Sequence, residues 1–380
     1  MFGPLRKLVP RTLVFALACA VLAPWGCGDG SEQSAPAIEH PFRPPTGSIY
    51  LLAGQDSEQL GAMPRAGFAD GYLDRVPVRP SGISLYGGFP EPNASEGFDS
   101  LAWVQTANDY IALETLDDTI FHFSINWVNE GQAIAGTDEV VAAEQALLEG
   151  KHDAFIDWLA DWCSAQRLPI LLRLGYEFNR PVQVLFTEER YAPAYRYIVD
   201  RMRARDVQGV AFVWASANLT FNPDGPPELW DFDAWYPGDD YADWFGFSMW
   251  FPDVPDTVML DEARARDKPV LLAETTPLEF NVGECSYYPL FTTQGQMLGA
   301  DALWEAWWQP MFDFVEQNAD IIGGWHYIAN DWALDPLWGS NPLFQNSDAR
   351  VWADDRILER WTEEASRSLF VKPVPGRFAR

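Results

Sequence analysis

The stretch Leu171-Leu172-Arg173-Leu174-Gly175-Tyr176-Glu177-Phe178-Asn179 is an apolar run of strand length that ends on a glutamate. A second stretch, Lys268-Pro269-Val270-Leu271-Leu272-Ala273-Glu274, is built the same way. A buried strand that carries a carboxylate to its C-terminal tip is costly unless that carboxylate has a task. Two such strands predict one pocket with a pair of carboxylates, the minimum equipment for cleaving a glycosidic bond.

On either side of these two runs, strand-like and helix-like segments alternate along the chain. Strands are expected at 48–54, 82–86, 119–126, 169–176, 209–216, 243–249, 269–274 and 321–328. Helical spacing of apolar residues marks Asp153 to Gln166, Tyr191 to Arg205 and Ala300 to Ala319. Eight strand–helix units predict an α/β fold, a single-domain (β/α)8 TIM barrel. A doubly wound open sheet is the alternative, weakened because no Gly-rich phosphate turn follows the first strand.

Strand side chains alternate between faces. Alternation groups Leu171, Arg173, Gly175 and Glu177 on one face, pointing Arg173 and Glu177 toward the barrel axis. A structural Arg173–Glu177 ion pair is the plainer reading of that spacing. The same rule groups Val270, Leu272 and Glu274. In a barrel of eight strands, the fourth and seventh face each other. Aromatic residues recur at the other strand ends: Trp127, Trp214, Trp250, Trp325 and Tyr327. Trp faces suit the C–H faces of sugars, although most of the 18 tryptophans must be core.

The chain has 380 residues and a net charge of −29. Such acidity repels phosphate backbones, so no nucleic-acid partner is expected. Arg6, Lys7 and Arg11 precede an apolar run, Leu13 to Leu22. That pattern predicts a signal peptide over 1–26 and an exported protein, secreted or held at the cell surface. Cys27 is a candidate for lipidation, which would be the only membrane contact. A linker is expected at 27–46, the barrel at 47–366 and a tail at 367–380. In that layout Cys163 lies toward the bottom of the barrel and Cys285 at its top, too far apart to be bridged. The four histidines show no ligand spacing, so neither metal nor organic cofactor is expected, and a monomer is anticipated.

Arg173-Leu174-Gly175-Tyr176-Glu177-Phe178-Asn179 resembles the Arg-Pro-x-His-Glu-x-Asn segment of glycoside hydrolase family 26. Tyr236-Pro237-Gly238-Asp239-Asp240-Tyr241-Ala242-Asp243-Trp244-Phe245-Gly246-Phe247 resembles the segment leading into strand six of that family. Lys268 to Glu274 resembles its nucleophile strand, and Val213-Trp214-Ala215-Ser216-Ala217-Asn218 its strand five. The resemblance spans roughly residues 46–335. It implies a retaining β-glycosidase, endo-β-mannanase-like or acting on mixed-linkage glucan or xylan, with Glu177 as acid/base and Glu274 as nucleophile. Substrate contacts are then expected from Arg173, Tyr176, Asn179, Trp127, Trp214, Asn218, Trp250, Trp325 and Tyr327. Three departures surround the cleavage point. Tyr176 replaces a histidine, Trp250 replaces a tyrosine, and Arg180-Pro181-Val182-Gln183 replaces a Gly-x-Trp-Phe-x-Trp run. The competing reading is a non-catalytic glycan-binding lipoprotein on the same barrel.

Overall fold

Eight parallel strands close on themselves in this computed structural model, which describes residues 42–62, 70–128, 137–180, 185–218 and 231–373. They are β1 (Tyr50–Ala53), β2 (Gly82–Gly88), β3 (Ile120–Asn126), β4 (Ile170–Leu174), β5 (Val210–Ser216), β6 (Trp244–Ser248), β7 (Val270–Thr275) and β8 (Ile322–Tyr327). Each strand pairs with its neighbour in sequence, and β1 pairs with β8. Longer helices alternate with the strands: α1 (Ala102–Ile111), α2 (Thr137–Leu148), α3 (Asp153–Ala165), α4 (Glu188–Ala204), α5 (Thr257–Ala265) and α6 (Gln309–Gln317), with α7 (Asp355–Ala365) following β8. This is the (β/α)8 barrel expected from the strand count. The expected signal peptide and Cys27 lie outside the described residues.

Two apolar layers follow from strand alternation. Tyr50, Leu52, Ile120, Leu171, Ala211, Val213, Trp244, Leu271 and Ala273 cluster together as the filling of the barrel. Their strand neighbours, such as Phe121, Leu172, Phe212, Phe245 and Leu272, join the larger cluster formed with the helices. A barrel buried on both faces explains the nearly unbroken apolar runs in the sequence. Packing also reaches past the expected boundaries. Arg43 pairs with Asp267 at 2.7 Å. Phe370 is buried, and Val371 N–H donates to the Ile49 carbonyl at 2.9 Å.

Above this filling the interior turns polar. Ser84, His122, Ser124, Arg173 and His326 are all fully buried. The rings of His122 and His326 meet edge to face at 5.3 Å, and Ser84 Oγ lies 2.9 Å from His122 Nδ1. This polar layer lies beneath the carboxylates.

Candidate active site

Leu171 and Arg173 point into the barrel as alternation requires, but β4 ends at Leu174. Gly175 then enters the left-handed region at φ +54°. A Cβ there would stand 2.3 Å from the Trp127 ring, so only glycine fits the turn. Glu177 also has positive φ, +53°, an uncommon state for a residue with a side chain. Its neighbourhood holds it there. Gly175 N–H donates to Ile125 O and Glu177 N–H to Ala215 O, each at 3.0 Å. Phe178 stacks on Trp214 at 4.8 Å. Glu177 reaches the site through this turn and not through strand alternation.

Glu274 arrives by another route. Val270 and Leu272 face the helices, while Leu271 and Ala273 face inward. The shared face expected for Val270, Leu272 and Glu274 is therefore not found. The ladder with β6 slips at this point: Phe247 pairs with Leu272, but Ser248 pairs with Glu274. Ala273 is the extra residue of a bulge, and the slip turns Glu274 inward. His326 Nδ1 lies 2.6 Å from the Ala273 carbonyl, and its Nε2 contacts the Gly54 carbonyl. The imidazole thus lies wedged between the bulge and the end of β1.

Around the two carboxylates the partners differ. Arg173 Nη1 donates to Glu274 Oε1 at 2.7 Å, with Arg173 fully buried. Arg173 does not form the expected pair with Glu177. Its guanidinium also lies over the Tyr176 ring at 4.7 Å, and Tyr86 packs on that ring edge-on at 5.4 Å. Glu177 Oε1 accepts from Ser248 Oγ at 2.7 Å. Its Oε2 lies 3.3 Å from Arg180 Nε. Burial, then the negative charge of Glu274, push the Glu177 carboxyl above its ordinary range. Arg180, Arg173 and Ser248 oppose that rise. Burial and Glu274 also push the Tyr86 hydroxyl well up, so it stays protonated.

The other expected contacts separate into three groups. Trp325 packs on Phe312 and Trp361, and Tyr327 on Trp361, with its hydroxyl donating to Ala349 O at 2.6 Å. Trp214 lies among Phe178, Phe232 and Phe245, and Trp127 between Phe186 and Tyr191. These four belong to the helix-facing core, which corrects their assignment as sugar platforms. The physical reason is parity: Trp214, Trp325 and Tyr327 occupy outward positions of their strands. Asn179 and Asn218 spend amide groups on the backbone. Asn179 bridges Ala217 N–H and Asn218 O, and Asn218 Nδ2 donates to Val254 O at 2.9 Å. Trp250 and Tyr176 remain half-buried. Sequence reasoning missed Tyr86, Arg180, Ser248 and His326. Ser248, at the C-terminal end of an inferred barrel strand, was the most findable. Among the described residues, no group of three or more His, Cys, Asp and Glu is placed to hold a metal ion.

Two buried glutamates thus stand at the C-terminal end of the closed parallel barrel, Glu274 against Arg173 and Glu177, raised in pKa, against Ser248 and Arg180. Residues 106–333 match Glycosyl hydrolase family 26, and the chain belongs to that family. A β-1,3-xylanase (TXYA) of Vibrio sp. is 28% identical over 244 residues, 62% of this chain and 52% of the relative. A β-1,3-xylanase of Alcaligenes sp. is 27% identical over 245 residues, 62% of this chain and 51% of the relative. The chain thus spans about half the length of the curated relatives it matches. Among solved structures, a Cellulomonas fimi endo-β-1,4-mannanase superposes with a TM-score of 0.60 at 16% identity, covering 88% of this chain and 75% of that one. The Bacteroides ovatus β-mannanase BoMan26A gives 0.56 at 13% identity, covering 86% and 91%. At these identities the structural likeness speaks for the fold.

Proposed function

We propose that the protein is an exported, retaining glycoside hydrolase that cleaves a β-linked polysaccharide, with β-1,3-xylan as the foremost substrate. The observation that carries the reaction type is the unequal pair. Glu274 is bound at 2.7 Å to a buried guanidinium, which holds and aims one of its oxygens, as a nucleophile requires. Glu177 is buried beside that negative charge, which favours the protonated form a general acid needs. Glu274 attacks the anomeric carbon while Glu177 protonates the departing oxygen. In the second half, Glu177 takes a proton from water, and the water oxygen displaces Glu274. Half-buried Tyr86, held protonated partly by the charge of Glu274, stands beside that carboxylate as a candidate donor to it. Half-buried Trp250 and Tyr176 offer aromatic surface for the sugar.

The xylan preference is drawn from the two xylanases above and from the departures around the acid/base. The test is release of reducing ends from β-1,3-xylan, β-1,4-mannan, β-1,4-xylan and mixed-linkage glucan, with the anomer of the first product read by NMR. Turnover of β-1,3-xylan at least about tenfold faster than mannan, a difference near 1.4 kcal/mol in the barrier, is expected with retention. Faster mannan cleavage overturns the substrate, and an inverted product overturns the mechanism. Tight binding without cleavage of any of them would favour the non-catalytic reading. Export is tested by mass spectrometry of the native protein, which should lack residues 1–26.

A further inference from the structure

The acid/base candidate carries a cation that its first task does not want. A general acid must hold its proton, and an arginine beside it favours losing the proton. Arg180 Nε nevertheless lies 3.3 Å from Glu177 Oε2, with the two side chains only 19% and 4% exposed. The guanidinium carbon lies 5.6 Å from the ring centroid of half-buried Trp338, on its face. An indole face attracts a cation and fixes its plane. Arg180 is therefore held from two sides.

The groups that bear on Glu177 come from several elements: Arg173 from β4, Ser248 from β6, Glu274 from β7 and Arg180 from its own turn. Arg173 is engaged by Glu274 at 2.7 Å. These partners act differently in the two halves of a double displacement. While Glu274 is ionised, its charge keeps the proton on Glu177. When Glu274 becomes an ester, that repulsion disappears, and the pull of Arg180 remains.

We propose, building on the two-carboxylate reading above, that Arg180 is a positioning residue for the second half-reaction, steadying Glu177 as a carboxylate while it acts as base. In that step a water O–H bond breaks and its proton goes to Glu177. The water oxygen bonds the anomeric carbon, and the bond from that carbon to Glu274 breaks, returning its electron pair to the Glu274 carboxylate. Without Arg180, Glu177 becomes a better-protonated acid and a worse-placed base. The Trp338 face sets where the guanidinium stands.

The experiment compares the unaltered full-length chain with Arg180→Gln, Arg180→Lys and Glu274→Ala. An activated aryl β-glycoside of the best sugar, dinitrophenolate leaving, makes the second step rate-limiting. With it, Arg180→Gln should lower kcat and KM together by about fivefold, the scale of one lost polar contact, because the intermediate accumulates. Arg180→Lys should recover part of kcat. On the polysaccharide, whose leaving group needs the acid, the basic limb of kcat/KM should move up by about one pH unit in Arg180→Gln. A fall in kcat with KM unchanged, or an unmoved basic limb, overturns the proposal. Carbon-13 NMR of labelled glutamate carboxyls, assigned with Glu177→Gln, needs no substrate. The Glu177 titration should move up by about one unit in Arg180→Gln, and an unchanged titration overturns the proposal even if no substrate is turned over. Retained activity in Glu274→Ala would instead break the underlying site assignment, whatever Arg180 does.

Discussion

The two glutamates arrive from opposite sides of the barrel, and the backbone delivers them differently. Glu274 stays within β7 and is turned inward by a one-residue slip at Ala273. Glu177 lies past the end of β4, in a left-handed turn anchored by Phe178. Glu274 faces a buried cation, whereas Glu177 faces a hydroxyl and a partly exposed cation. Sequence similarity between the two strands therefore hides two local geometries. Their chemical inequality follows from the partners each geometry makes available.

The largest effects should come from the carboxylates. Glu274→Ala is expected to lower turnover of the preferred polysaccharide by at least about 10⁴-fold. Glu177→Ala should lower it by about 10²- to 10⁴-fold, yet spare an activated aryl glycoside much more. Initial rates on both substrates check this, and equal loss on both would break the division of roles. Azide sharpens it further, giving an α-glycosyl azide with Glu274→Ala and a β-glycosyl azide with Glu177→Ala.

Next in size is the buried ion pair. Arg173→Met leaves Glu274 without its cation in a site that water barely reaches. A loss of about 3–5 kcal/mol of stability is expected. Urea unfolding of Arg173→Met, Glu274→Gln and the double variant checks it. The double variant should regain much of that stability while staying inactive. Simple additivity would mean that the pair is not coupled.

The bulge makes a smaller and more selective prediction. An asparagine amide superposes on imidazole Nδ1 and a glutamine amide on Nε2. His326→Asn should therefore place an N–H toward Ala273 O and keep most of kcat, while His326→Gln should lose about tenfold in kcat. Thermal melts of both variants separate this from simple unfolding. Equal losses would show that the Ala273 contact does not set Glu274.

Ser248→Ala should have the smallest effect. The hydroxyl donates to ionised Glu177 and holds its pKa down, so its removal raises that pKa. The basic limb of kcat/KM should then move to higher pH, by less than about one unit. A downward move would mean that Ser248 serves the protonated form.

Composition and periodicity were enough for the barrel. Eight apolar runs separated by helical spacing leave few ways to bury both faces of each strand. The two glutamates were legible because a carboxylate ending a buried run is chemically conspicuous. Their local routes were not. Alternation alone turns Glu274 toward the helices, and the slip that corrects it comes from pairing with β6 and from the imidazole of a residue half a hundred positions away on β8. The tryptophans failed for a related reason. Composition says that they are numerous, but only strand parity and helix packing decide which ones face a cleft, and Trp214 and Trp325 face the core. Neither the Arg180 contact three residues along the same turn nor the Ser248 contact from β6 can be read from pattern, because each lies in one distance to Glu177. Local pattern and solvation cost settle the period, the count of strands and the presence of two buried acids. Tertiary structure alone decided which way each acid points and which charges stand beside it, because those depend on ladder register and on contacts between residues far apart in the chain.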